Sequence, residues 1–281
     1  MTDLTRTYEP DNSLKRGILS ILVEIFNELV NNRWLTYQLF KRDFLATYKQ
    51  AVIGMFWAFI IPLISVGTFA LLNRSGVFVI GNINVPYAVY AVAGVAFWQL
   101  FSTGLIMSTN SLVKAGSMIV KINFSKKSLV IAAYCQAFIP FLVQLIVLFA
   151  IMLFYGIVPG IKILLIPIVI IPVILLSFGM GLCLSMLNAI LRDIGNIVSL
   201  FMTFLMFLTP IFFVKPTIGF LSAISKYNPL YYLIATPRDI VTSSGSIHLK
   251  GFLLSSAVSA AIFCICIIVF HITEVRISER V

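Results

Sequence analysis

Six stretches of this chain are apolar and long enough to cross a bilayer, and they constrain its fold more than any motif does. Residues 51–72, 85–107, 129–155, 161–187, 197–214 and 252–272 each approach or exceed the roughly 20 residues that a spanning helix requires. Unpaired backbone groups are costly in hydrocarbon, so each stretch must satisfy its own N–H and C=O groups as a helix. The expected fold is therefore an all-α integral membrane protein with six transmembrane helices. Hydrophobic residues make up 60% of the 281 positions and charged residues 11%, too apolar a balance for a soluble core. The length allows one transmembrane domain, 51–281, preceded by an N-terminal region, 1–50.

Basic residues set the orientation. With the N-terminus inside, only Arg74, Lys162, Lys215, Lys226, Arg238 and Lys250 face outward, and the remaining 14 of the 20 lysines and arginines face the cytoplasm. Both termini are then cytoplasmic. The net charge of +10 reads as an orientation signal and an attraction to anionic lipid, and nucleic-acid binding explains it poorly. No cleavable leader is expected, because Asp3, Glu9, Asp11, Glu24 and Glu28 interrupt the first residues. Cys135, Cys183, Cys264 and Cys266 all fall inside apolar spans, where a thiol acts as a small hydrophobe, and none is expected in a disulfide or metal site.

Two amphipathic helices are predicted before the first span. Ile18, Ile21, Leu22, Ile25, Phe26 and Leu29 recur at helical spacing, and a second segment mixes Trp34, Tyr37, Phe44, Leu45 and Tyr48 with Lys41, Arg42 and Lys49, as interfacial helices do. Residues 108–127 form a cytoplasmic connector in which Met118, Ile119, Val120 and Ile122 sit among lysines; a short docking helix and a solvated linker both fit. Residues 215–251 hold three apolar patches too short to span, broken by Pro229, Pro237 and Gly245. They fit re-entrant half-helices beside a pathway, with an extracellular loop as the alternative.

Absences narrow the function. The chain contains no Gly-Lys dipeptide and hence no phosphate-cradling loop of the P-loop type, so any ATP is bound by another chain. No carboxylate occurs between Asp43 and Asp193, and Asp193 and Asp239 each follow an arginine. An acid/base pair for a membrane enzyme is not visible. Spans nearly bare of ionisable groups also argue against proton coupling, while sodium coupling through backbone carbonyls stays open.

The stretch from Arg42-Asp43 through Tyr48-Lys49 to Gly54-Met55-Phe56-Trp57, followed by Pro62, resembles the entry to the first span in permeases of bacterial polysaccharide ABC exporters, of the ABC type-2 transporter family. Three later segments resemble that family in the same order: Met118 to Phe124, Arg192-Asp193-Ile194-Gly195 with Thr209-Pro210, and Asn228-Pro229-Leu230 with Arg238-Asp239. The likeness covers roughly residues 35 to 245. After Phe124 the family commonly has Pro then Arg, whereas Ser125 and Lys126 stand here.

The resemblance implies a permease that works as a homodimer with two separate ABC ATPase subunits, which bind ATP and Mg. Its implied substrate is a lipid-linked polysaccharide such as O-antigen, capsule or teichoic acid, in the bacterial cytoplasmic (inner) membrane. Ile119, Lys121, Phe124 and Lys126 are then the expected ATPase contacts, and Lys41, Arg42 and Lys49 the cations facing a lipid pyrophosphate. Tyr87, Tyr90, Phe97, Trp98 and Phe101 fall within an arc of about 100° on the second span, and with Phe201 and Phe204 they are the expected glycan-conduit aromatics. Packing against lipid or neighbouring helices explains the same rings. A drug or small-lipid exporter of similar architecture, and an ATP-independent channel or carrier, are the alternatives.

Overall fold

The structure, a computed structural model, describes residues 18–49, 83–116, 125–158, 160–213, 220–243 and 248–277, with isolated positions between 60 and 75. Among the described residues the chain is helical with short turns and no strand. Two helices, α1 (Ile18–Asn31) and α2 (Arg33–Lys49), precede the membrane region. Then come α3 (Tyr87–Ala115), α4 (Lys126–Cys135) and α5 (Phe138–Phe154), followed by a 3₁₀ turn (Ile161–Leu165) and α6 (Ile166–Val169) leading into α7 (Ile171–Ile190). The remainder is α8 (Ile194–Leu208), α9 (Phe220–Tyr227), α10 (Pro229–Thr242) and α11 (Leu249–Ile277).

Among the described residues four helical segments are long and apolar enough to cross a membrane: Tyr87–Ala115, Lys126–Phe154, Ile161–Ile190 and Leu249–Glu274. They correspond to the predicted second, third, fourth and sixth spans. The predicted fifth is shorter, 15 residues, because Pro210 cannot continue the helix and Thr209 turns extended. The predicted first span, 51–72, lies almost wholly outside the described residues. The connector predicted to begin at Ser108 is shorter than expected: α3 stays helical to Ala115 and stops at Gly116, whose φ of 44° suits glycine.

Prolines set the other breaks. Pro140 has no N–H for the Gln136 carbonyl, and the backbone around 136–139 tightens to three-residue hydrogen bonds, dividing α4 from α5. Pro172 similarly stands where α6 passes into α7. Asn228 caps α10 by accepting from the Leu230 N–H at 3.0 Å, with Pro229 in the first helical position. The Asn-Pro-Leu run thus begins a helix, and the predicted patches of 215–251 become α9 and α10.

The core forms where α3 packs on α7, and α7 on α11. Close approach depends on small residues: a Cβ placed at Gly179 would lie 2.8 Å from Phe263 Cα. Helix α10 fills the end of this layer against α3 and α11, and α2 lies along α4.

Candidate functional site

At the Lys114 end of α3, helix α2 covers a cleft of about 320 Å³ whose polar lining includes Arg42, Thr47, Thr103, Ser111, Lys114 and Gln136. Gln136 fixes the lid by donating to the Phe40 carbonyl at 2.9 Å. Arg42 pairs with neighbouring Asp43, Nη2 to Oδ1 at 2.7 Å. Lys114 is exposed and reaches Met107 Sδ at 4.0 Å, with no carboxylate partner among the described residues. Among the described lining residues Arg42 and Lys114 accompany the single carboxylate of Asp43, a balance that suits an anion. Lys41 is exposed on the same helix; the side chain of Lys49 lies outside the described residues. Sequence reasoning missed Lys114, since one lysine at a helix end reads as an orientation signal.

Ile119, Lys121 and Phe124 lie outside the described residues. Lys126, expected to meet a partner, is instead buried, its ammonium donating to the Glu274 backbone carbonyl at 2.7 Å. The ammonium is used within the chain because α4 begins immediately after Ser125 and turns its first side chains toward the end of α11. Next to it Lys127, with a side chain only 3% exposed, joins Glu28 of α1 at 2.8 Å and Glu274 of α11. Burial alone would raise the Glu28 carboxyl, but the hydrogen bond and charge of Lys127 outweigh it and hold that group below its ordinary range. Glu28, His271 and Glu274 bring donor atoms within 4.8 Å of one another, a spacing that fits a metal, yet the Lys127 ammonium already supplies positive charge there.

A second polar cluster fixes the turn at Arg192-Asp193. Buried Asn188 donates to the Thr109 carbonyl at 3.1 Å and accepts from the Gly195 N–H at 2.8 Å, tying α7 and α8 to α3.

The aromatic stripe of α3 is turned inward within this chain. Phe97 is 0% exposed and packs on Phe141 with ring centroids 5.8 Å apart; Trp98 and Phe101 are buried against each other, also at 5.8 Å. Tyr90 is buried under Arg238, and only Tyr87 stays half-buried. Periodicity located one face of the helix correctly but could not say that α5 and α10 cover it. Phe201 and Phe204 of α8 are exposed, Phe204 at 60%.

The sequence profile of the ABC-2 type transporter family matches residues 35–241, most of the chain. The chain belongs to the ABC-2 type transporter family. Members of this family are membrane transport subunits, and the four apolar helices agree with a multi-pass membrane protein. Among similar ABC-2 proteins is an "O-antigen export system permease protein RfbA" of Klebsiella pneumoniae, 27% identical over 79% of this chain and 88% of its own length. A second protein of that name from Klebsiella pneumoniae is 26% identical over 71% of this chain and 76% of its own. The Myxococcus xanthus protein of the same name is 22% identical over 92% of this chain and its full length.

Proposed function

We propose that this chain is the permease of an ATP-driven exporter that carries lipid-linked polysaccharide outward across the bacterial cytoplasmic membrane. The carrying observation is the alignment of 71–92% of the chain with relatives named for O-antigen export, over a helical frame of matching class. In this reading the chain has six spans, the first at 51–72 and the fifth at α8, with α9 and α10 re-entrant and both termini cytoplasmic. Two copies form the conduit, and two separate ATPase subunits bind ATP and Mg.

The cleft under α2 supports a role at the inner leaflet. Arg42 and Lys41, joined by Lys49 and Lys114, receive the pyrophosphate of the lipid carrier; Arg grips phosphate oxygens in pairs and Lys acts as a point charge. Ile119, Lys121 and Phe124 contact the ATPase, with an apolar ring filling a cleft and lysines at its rim. Phe201 and Phe204 offer flat, weakly binding surfaces to the moving glycan, while the buried rings of α3 hold the wall from behind and Tyr87 borders it.

The test is reconstitution in vesicles with undecaprenyl-pyrophosphate-linked glycan. Permease and ATPase together are expected to move glycan on adding ATP, and Arg42→Gln with Lys114→Gln lowers loading without changing insertion. Transport by the permease alone, or movement of small lipid but not glycan, overturns the reading.

A further inference from the structure

We propose that Glu28, His271 and Glu274 form a site for a divalent cation of the zinc class, which joins α1 to the end of α11 and competes with the Lys127 ammonium for one place. The ligands come from two elements. His271 and Glu274 stand at i and i+3 on α11, a spacing that sets two side chains together on one helix face, and Glu28 reaches them from α1. One donor atom from each residue, an imidazole nitrogen and two carboxylate oxygens, lies within 4.8 Å of the others. Ligands of a common tetrahedral zinc ion sit roughly 3–4 Å apart, so a small closure of this trio completes the geometry.

His271 carries the inference beyond a matter of charge. Its side chain is 10% exposed, and its buried Nδ1 has no hydrogen-bond partner; Glu28 Oε2 stands 4.0 Å away, too far for a hydrogen bond. A buried imidazole nitrogen without a partner is costly, and a cation placed between it and the two carboxylates satisfies it. Glu274 is held from outside the trio, as ligating carboxylates usually are: the Lys126 N–H donates to its Oε1, and the Lys126 ammonium to its backbone carbonyl. Glu28, at 27%, is the most exposed of the three side chains and leaves an approach from its side.

Lys127 sets the terms of entry. Its ammonium, 2.8 Å from Glu28 Oε2 and also bonded to Glu274 Oε2, neutralises one of the two negative charges, whereas a divalent cation matches both. Ammonium and metal cannot share those oxygens, so loading requires the lysine to swing aside on its flexible four-carbon stem. Mixed nitrogen and oxygen donors suit zinc, cobalt or nickel, while magnesium and calcium favour oxygen alone.

The test uses the full chain in detergent, free of any affinity tag, with Co²⁺ as the spectroscopic probe and Zn²⁺ as its competitor. The unaltered protein is expected to bind one Co²⁺ per chain with visible absorption bands that Zn²⁺ abolishes, and to melt at a higher temperature as Zn²⁺ is added. His271→Ala lowers the affinity at least about tenfold and removes the thermal shift. His248→Ala, at the other of the two histidines, changes neither. Lys127→Met removes the competing ammonium and leaves two carboxylates facing each other, so it melts lower without metal, recovers with Zn²⁺ and binds about tenfold more tightly. Should that variant not fold, the unaltered chain and His271→Ala decide between them. Absence of Co²⁺ binding to the unaltered chain overturns the inference, as does equal affinity in His271→Ala or no gain in a folded Lys127→Met. A strong near-ultraviolet sulfur-to-cobalt band also overturns it, since the ion then sits on cysteine.

Discussion

The guanidinium of Arg238 lies 4.0 Å from the ring centroid of Tyr90, joining α10 to α3 through a cation–π contact. Arg238 is 3% exposed, and it donates to Asp239 at 2.9 Å and to the carbonyls of Pro210 and Ile211 at 3.1 and 3.4 Å. The last two carbonyls are freed where α8 ends. One side chain therefore closes the gap left by Pro210 and pins α10 at the same time.

Arg238→Met leaves Asp239 and two carbonyls unpaired in a buried setting. The expected loss is about 3–5 kcal/mol of stability, measured as thermal unfolding in detergent. Arg238→Lys recovers only part of it, because an ammonium cannot reproduce a planar fork. Tyr90→Phe keeps the ring beneath the guanidinium and gives up only the 3.3 Å hydrogen bond to the Phe213 carbonyl, a change of about 1 kcal/mol.

At Gly179 an added methyl would press on the Phe263 backbone at 2.8 Å and force α7 from α11. Gly179→Ala is expected to cost about 1–3 kcal/mol. Gly160→Ala, where nothing lies within 4 Å of the added atom, provides the matched neutral substitution in the same thermal assay.

Asn188→Ala strands the buried Gly195 N–H and releases the turn at Arg192-Asp193. A loss of about 1–3 kcal/mol is expected, with faster hydrogen exchange at 191–196. Asn188→Asp keeps an acceptor for Gly195 but buries a carboxylate against the Thr109 carbonyl and Asn110 Oδ1, so it is expected to destabilise at least as much as Asn188→Ala.

The pH response of α1 follows from the lowered Glu28 carboxyl. A group that titrates lower when folded stabilises fully above its unfolded value, ordinarily 4.5, and loses that contribution as pH falls through the folded one. The difference in melting temperature between the unaltered protein and Glu28→Gln is therefore expected to stay constant from pH 8 to about 6 and to close in acid below about 4.5.

Much of the architecture was present in the order of residues. Long apolar runs determine where helices lie in a membrane, because hydrocarbon leaves the backbone no other way to pair its polar groups. Pro140, Pro172, Pro210 and Asn228-Pro229 determine where helices break or begin, since each acts on its own local hydrogen bonds. The family likeness over 35–241 was also legible, because spaced short motifs survive in linear order.

Direction was decided by the tertiary structure. The rings of α3 share one face by periodicity, but only the placement of α5 and α10 turns that face inward. Lys126 and Lys127 look alike in sequence to any solvated basic pair; burial against Glu274 and Glu28, distant along the chain, makes them a joint. Lys114 became part of a cleft only when α2 folded over it. A sequence fixes local preferences through short-range sterics and hydrogen bonding, whereas which faces meet depends on packing among segments far apart in the chain.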